Sequence, residues 1–191
     1  VTVGCTAMIY RSLKPIRQWS HGLVLPNYLA LALMTGALWF AALAALWGRS
    51  VMPAMAIALA AIAIAAALKL AYWSAIDHAR ATLTAEAATG LLGGGAVRLF
   101  EAPHSQDNYL LKEMGFRIAR KHAAKLRRIA LAAGFALPFL LLAAAALSSE
   151  IALPAAILAA LSGTAGVLVE RWLFFAEARH TVMLYYGAAS V

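Results

Sequence analysis

The residues best suited to chemistry lie near the end of the chain, in the stretch ERWLFFAEARHT at 170–181. Glu170, Phe174, Glu177 and Thr181 recur at spacings of three and four, which puts them on one face of a helix, with His180 beside Thr181. Two carboxylates and an imidazole directly after an apolar run are costly so near a bilayer. Such groups either pair with one another or line a functional cavity. One reading is a proton-handling group near a quinone head. Ion pairing between helices is the simpler account of the same residues: Glu170 or Glu177 would then meet Arg171, Arg179 or Lys69. Lys69 and Asp77, eight apart on another apolar run, lie near one face or snorkel at an interface.

The elements that must position these groups are membrane helices. Of 191 residues, 64% are hydrophobic, and the mean hydropathy is +0.79. A soluble domain is ordinarily about 45–50% apolar, so part of the solvent here must be lipid. Four runs reach the length of about 20 residues that a bilayer requires: 22–47, 51–73, 129–147 and 151–169. The fold expected is all-α, a polytopic transmembrane helix bundle of four full spans. The first nine residues read as the last turns of a preceding membrane helix, as in the C-terminal part of a longer protein. The whole of 1–191 reads as one transmembrane domain. Pro53 and Pro154 fall near helix starts, where the missing N–H costs little. Pro138 falls in mid-run and is expected to kink the third helix. Gly163 and Gly166 allow close helix approach.

Charge alternates along the connections. Residues 10–21 carry Arg11, Lys14 and Arg17, and residues 77–128 carry nine Lys or Arg. The turn after the first span has Arg49 alone, and the turn at 148–150 has no cation. The positive-inside rule then places 10–21, 77–128 and the end of the fourth span in the cytoplasm, as expected for a multi-pass protein of the bacterial inner membrane. The net charge of +8 reads as this topology signal rather than as a nucleic-acid surface. Trp19, Trp47, Trp73 and Trp172 are expected at the interfaces as an aromatic belt.

One polar segment interrupts this chain, EAPHSQDNYLLKEMGFRIARKHAAKLRR at 101–128. From Leu111 its apolar positions Leu111, Met114, Ile118, Leu126 and Ile129 recur near 3.6, with His122 on the same face. This predicts a cytoplasmic amphipathic helix that turns into the third span. Its basic face suits anionic lipid. Lipid adhesion does not account for the preceding donors and acceptors, and long ordered loops are usually functional. Residues 77–128 are therefore expected to be a polar docking loop with a surface helix. Pro103, His104, Asn108, Tyr109, Lys112 and Glu113 are its candidate contacts to a soluble partner.

Cys5 is the lone cysteine, too few for an iron–sulfur cluster. Only His180 lies near a span, so a bis-histidine haem is not expected. No phosphate-binding loop, nucleophile elbow or zinc spacing occurs. The chain is expected to bind no cofactor of its own and to perform no covalent catalysis by itself.

The stretches CTAMIYRSLKPIRQW, FEAPHSQDNYLLKEMGFRIARKHAAKLRR and AGVLVERWLFFAEARHTVMLYYG together resemble the C-terminal part of the membrane-anchor subunit of the dimethyl sulfoxide reductase family. The version of the polar loop is most similar to the anchor of the cytoplasm-facing sulfite-oxidising enzymes. The resemblance implies a molybdopterin catalytic subunit and a four-cluster ferredoxin-like iron–sulfur subunit as partners. It implies electron exchange with the quinone pool, with quinone as an exchangeable substrate and Arg171, Glu177 and His180 as candidates to hydrogen-bond its head group or pass it protons, and sulfite oxidation or dimethyl sulfoxide reduction in the catalytic partner. Two readings from other classes compete: a transporter or channel, which would want charge at the span centres, and a partner-binding scaffold without quinone chemistry.

Overall fold

The fold is that of a computed structural model that describes residues 1–78, 83–91, 93, 97–98, 100–101 and 117–186. In chain order the helices are α1 (Thr2–Ser12), α2 (Arg17–Ser20), α3 (Val24–Leu46), α4 (Met52–Asp77), α5 (Ala85–Thr89), α6 (Arg117–Lys121), α7 (Ala123–Leu131), α8 (Leu137–Leu147) and α9 (Ala152–Ala176). A π-helical turn, Ala132–Ala136, joins α7 to α8 into one continuous rod. Among the described residues four segments are long and apolar enough to span a bilayer: Val24–Leu46, Met52–Asp77, Ala123–Leu147 and Ser149–Ala176. They form the expected polytopic bundle. α3 packs on α4 and α9, and α9 packs on the α7–α8 rod.

The core between the spans is built from small side chains. Ala58, Ala65, Ala156, Ala159 and Ala160 are fully buried, with Met34, Leu38, Ile62 and Leu142 filling the wider gaps. The outer surface is greasy in turn, with Phe40, Ile57, Leu140, Leu158 and Leu168 all exposed. That inversion is what a lipid solvent permits.

α9 and the π turn approach each other closely. A Cβ added at Gly166 would stand 2.1 Å from the Gly134 nitrogen and 2.2 Å from its Cα. The backbones touch there, so the small residues do what their spacing suggested.

Pro138 changes the hydrogen bonding of its helix. Proline has no N–H, so it cannot bond the carbonyl four or five residues back. The Leu137 N–H bonds Ala132 O in the wider π pattern, which leaves the Ala133 carbonyl without a donor from its own helix. Ser162 supplies one, its hydroxyl donating to Ala133 O at 2.7 Å. At the other end of the bundle α3 stops at Gly48, whose φ of 61° is the left-handed conformation of a helix terminus. There Arg49 N–H bonds Ala44 O at 2.9 Å and Gly48 N–H bonds Ala45 O at 3.2 Å.

Two expectations need correction. The aromatic belt is only half present: Trp47 and Trp172 face outward, whereas Trp19 and Trp73 are buried in a second apolar cluster with Tyr72, Leu173 and Phe174. The helix carrying Glu170 also ends at Ala176. Glu177 caps it in helical conformation, its N–H bonding Leu173 O at 2.9 Å, and so keeps to the common face; Thr181 leaves it, and its hydroxyl instead donates to Pro15 O at 2.7 Å.

Candidate functional site

The ionisable groups inside the bundle gather where α3 begins and α4 and α9 end. Lys69 from α4 forms an ion pair with Glu170 from α9, the two side chains 1% and 0% exposed. Lys69 therefore does not snorkel. Glu170 is shared: Arg171 folds back so that Nε lies 2.6 Å from Oε2 and Nη2 lies 2.7 Å from Oε1. Two cations on one carboxylate leave this inner group with a net positive charge. Its walls are aromatic. The Arg171 guanidinium lies 4.3 Å from the Tyr28 ring centre and 4.8 Å from that of Phe174, and the Lys69 ammonium lies 4.5 Å from Tyr72 and 4.9 Å from Trp73. Cations desolvated against ring faces recover part of their lost hydration there.

Two polar atoms in this region are buried with no hydrogen-bond partner among the described residues, Arg171 Nη1 and Asn27 Oδ1. The Asn27 amide is oriented by its other end, since Nδ2 donates to Leu23 O at 2.8 Å and to Leu68 O at 3.3 Å. Unspent buried donors and acceptors are uncommon in folded proteins.

A second ionic group forms the rim. Arg127 donates through Nη1 and Nη2 to the two Asp77 oxygens, at 2.6 and 3.0 Å, and through Nε to Glu177 at 2.7 Å. Its guanidinium also lies 5.2 Å from the Trp73 ring. One cation on two carboxylates gives the rim a net negative charge, which offsets the inner group. Trp73 stands between the two, contacted by Lys69 and by Arg127.

The segment 10–21 is stapled over this end. Trp19 Nε1 donates to Phe174 O at 3.0 Å, Tyr72 OH donates to Gln18 O at 3.0 Å, and Arg179 N donates to Gln18 Oε1 at 3.2 Å. The staple shields the last turn of α9 from solvent. Arg120 reaches in from the other side, bonding Ala176 O at 2.9 Å and Ala178 O at 2.7 Å. A guanidinium there satisfies carbonyls orphaned at a helix C-terminus and complements its dipole. His180 packs edge-on against Trp19, with ring centres 5.2 Å apart. Burial and the nearby Arg120 charge hold its pKa below the usual value.

Of the three candidates from the tail, Arg171 belongs to the inner group, Glu177 to the rim, and His180 to the staple. Pro103, His104, Asn108, Tyr109, Lys112 and Glu113 lie outside the described residues. Pairing of Glu170 with Lys69 and Arg171 was among the alternatives the sequence offered. Arg127, Asn27, Tyr28 and Gln18 were not singled out. Nothing in local spacing marks them, because their partners lie 41 to 161 positions away.

The family model for the DMSO reductase anchor subunit (DmsC) matches residues 1–187. This chain belongs to that family. The anchor-family chain is also 31% identical, over 97% of its length, to a sulfite dehydrogenase subunit of Allochromatium vinosum. It spans 57% of the length of that relative. No solved structure matches it.

Proposed function

We propose that this chain is part of the membrane anchor of a molybdopterin oxidoreductase complex and passes electrons between a partner iron–sulfur subunit and the quinone pool. The likeness to a sulfite dehydrogenase subunit supports sulfite oxidation in the catalytic partner over dimethyl sulfoxide reduction. Electrons then run into quinone. Each quinone takes up two electrons and two protons, so a site for it needs a donor for the carbonyl oxygen and ionisable groups reaching the surface.

The observation that carries this reading is Arg171. Glu170 holds its Nε and Nη2 and its face packs on Tyr28, while its buried Nη1 has no hydrogen-bond acceptor within reach among the described residues, which suits a quinone carbonyl. Its net positive surroundings favour the negative charge that builds on that oxygen during reduction. Glu177, on the half-exposed rim, and His180, kept neutral by its surroundings, serve as the proton-handling groups. The iron–sulfur partner docks on the same end of the bundle, at the cytoplasmic face, with Pro103, His104, Asn108, Tyr109, Lys112 and Glu113 as contacts. In this reading the chain holds no cofactor of its own.

The test is purification of the full-length protein from cells expressing its neighbours, in mild detergent. Stoichiometric iron and molybdenum, two further polypeptides and sulfite-dependent quinone reduction are expected. A preparation free of metal and partners sinks the proposal. One observation favours a scaffold without quinone chemistry: both Glu170 oxygens are already satisfied. Absence of quinone binding to the intact, metal-loaded complex would select that reading.

A further inference from the structure

The basic run RIARKHAAKLRR at 117–128 divides by helical phase into two sets with different surroundings. Arg120 and Arg127 turn inward and are spent on protein, the first on the carbonyls ending α9 and the second on Asp77 and Glu177. Lys121, Lys125 and Arg128 are exposed, and among the described residues none of them has an ion-pair or hydrogen-bond partner. Lys125 and Arg128, three apart, share a face of α7, and Lys121 ends α6 just before the turn at His122.

That face does not end at the polar segment. Below Arg128 the same stripe continues through Ile129 and Ala132 to Ala136, Leu137 and Leu140, all exposed. The acids on α4 and at the end of α9 are engaged elsewhere: Asp77 and Glu177 are held by Arg127, and Glu170 is buried. Counting back from Leu147 at 1.5 Å per residue, a hydrocarbon core of about 30 Å ends close to Arg128. Lys125 then stands about one turn above it, at the depth of lipid phosphates, and Lys121 about one turn higher.

We propose that Lys121, Lys125 and Arg128 form a binding site for the head group of one anionic phospholipid, whose acyl chains lie along the Ile129–Leu140 stripe. A phosphodiester between Arg128 and Lys125 receives charge-assisted hydrogen bonds from both. The continuous apolar stripe directly below distinguishes a lipid from an acidic protein surface, which would need no such strip. The site stands apart from the inner group, and the proposal does not depend on quinone chemistry.

The experiment uses the full-length protein in its native assembly. Wild type and a K121Q/K125Q/R128Q variant are purified in mild detergent, and bound phospholipid is measured by native mass spectrometry. Wild type should retain about one phosphatidylglycerol or cardiolipin per chain, and the variant should lose most of it. An R11Q/K14Q variant, with exposed cations altered elsewhere at the same end, should retain it. Equal retention in the triple variant overturns the proposal, as does loss of the soluble subunits with lipid unchanged, which would make the face a protein dock. A second measurement stands if the triple variant fails to fold. Phosphatidylglycerol added to delipidated wild type should raise its unfolding temperature, whereas phosphatidylcholine and inorganic phosphate should not. Equal shifts from all three would overturn the assignment.

Discussion

Lys69 and Glu170 face each other across the α4–α9 interface with both side chains sealed from solvent, yet they are not an isolated pair, because Arg171 holds the same carboxylate. The asymmetry of this triad has a measurable result. Glu170→Gln leaves two buried cations without an anion and should cost about 3–5 kcal/mol. Lys69→Met leaves Glu170 with Arg171 as a neutral bidentate pair and should cost less than half of that. Unfolding in detergent measures both. A Lys69→Met variant as unstable as Glu170→Gln would show that Arg171 does not hold Glu170 alone.

The rim separates a solvated contact from a sheltered one. Asp77 is 51% exposed and Glu177 is 12% exposed, so solvent screens the first more. A double-mutant cycle of Arg127→Gln with Asp77→Asn should give a coupling below about 1 kcal/mol. The cycle with Glu177→Gln should give a larger one, within the range of about 0.5–3 kcal/mol usual for neighbours.

Gly166 and Gly36 make a matched pair of tests. An alanine Cβ at Gly166 runs into the backbone of Gly134, which cannot rotate away, whereas at Gly36 it meets nothing within 4 Å. Gly166→Ala should destabilise by about 3 kcal/mol or more, at the upper end of overpacking costs. Gly36→Ala should be neutral or stabilising by up to about 1 kcal/mol. Thermal midpoints of the two variants, compared with wild type, decide it.

His180 predicts a pH dependence of stability. Burial and Arg120 lower its pKa in the fold below the ordinary 6.5, so the unfolded chain binds the proton more readily. Stability should therefore be full above about pH 6.5 and should fall as the pH drops below it. His180→Gln should flatten that part of the curve, measured as unfolding temperature between about pH 8 and pH 5. An unchanged slope would assign the effect to other groups.

The functional reading has its own variants. His180→Ala and Arg171→Leu should each slow quinone reduction by about tenfold or more while the metal content of the purified complex stays unchanged. Replacing His104, Asn108 and Tyr109 together should release the soluble subunits from membranes, as followed by fractionation. Normal quinone turnover in both single variants would remove these residues from the site.

The spans were legible in the sequence because lipid makes apolar length nearly sufficient. The run at 22–47 became Val24–Leu46, and the run at 151–169 gained only its polar end. Pairing was less legible. Lys69 reads equally well as an interfacial lysine, and only the arrival of α9 decides that it is buried. The basic run at 117–128 reads as a single class of residue, although Arg127 and Lys125 have opposite surroundings. The helix of the third span also begins earlier than its apolar run, at Ala123 rather than 129, and Arg127 in its first turns meets carboxylates from two neighbouring segments.

The π turn at Ala132–Ala136 sets more than the path around Pro138. An α-helix rotates by about 100° per residue, and a π turn absorbs one extra residue without passing that rotation on. Wound as regular α-helix, the same residues would turn Arg127 out of register with Asp77 and Glu177. Lys125 and Arg128 would turn with it. The turn thus works as an angular setting, like the index mark on a dial. The winding of a five-residue segment with no charged side chain decides which cations the bundle keeps and which it shows to the membrane.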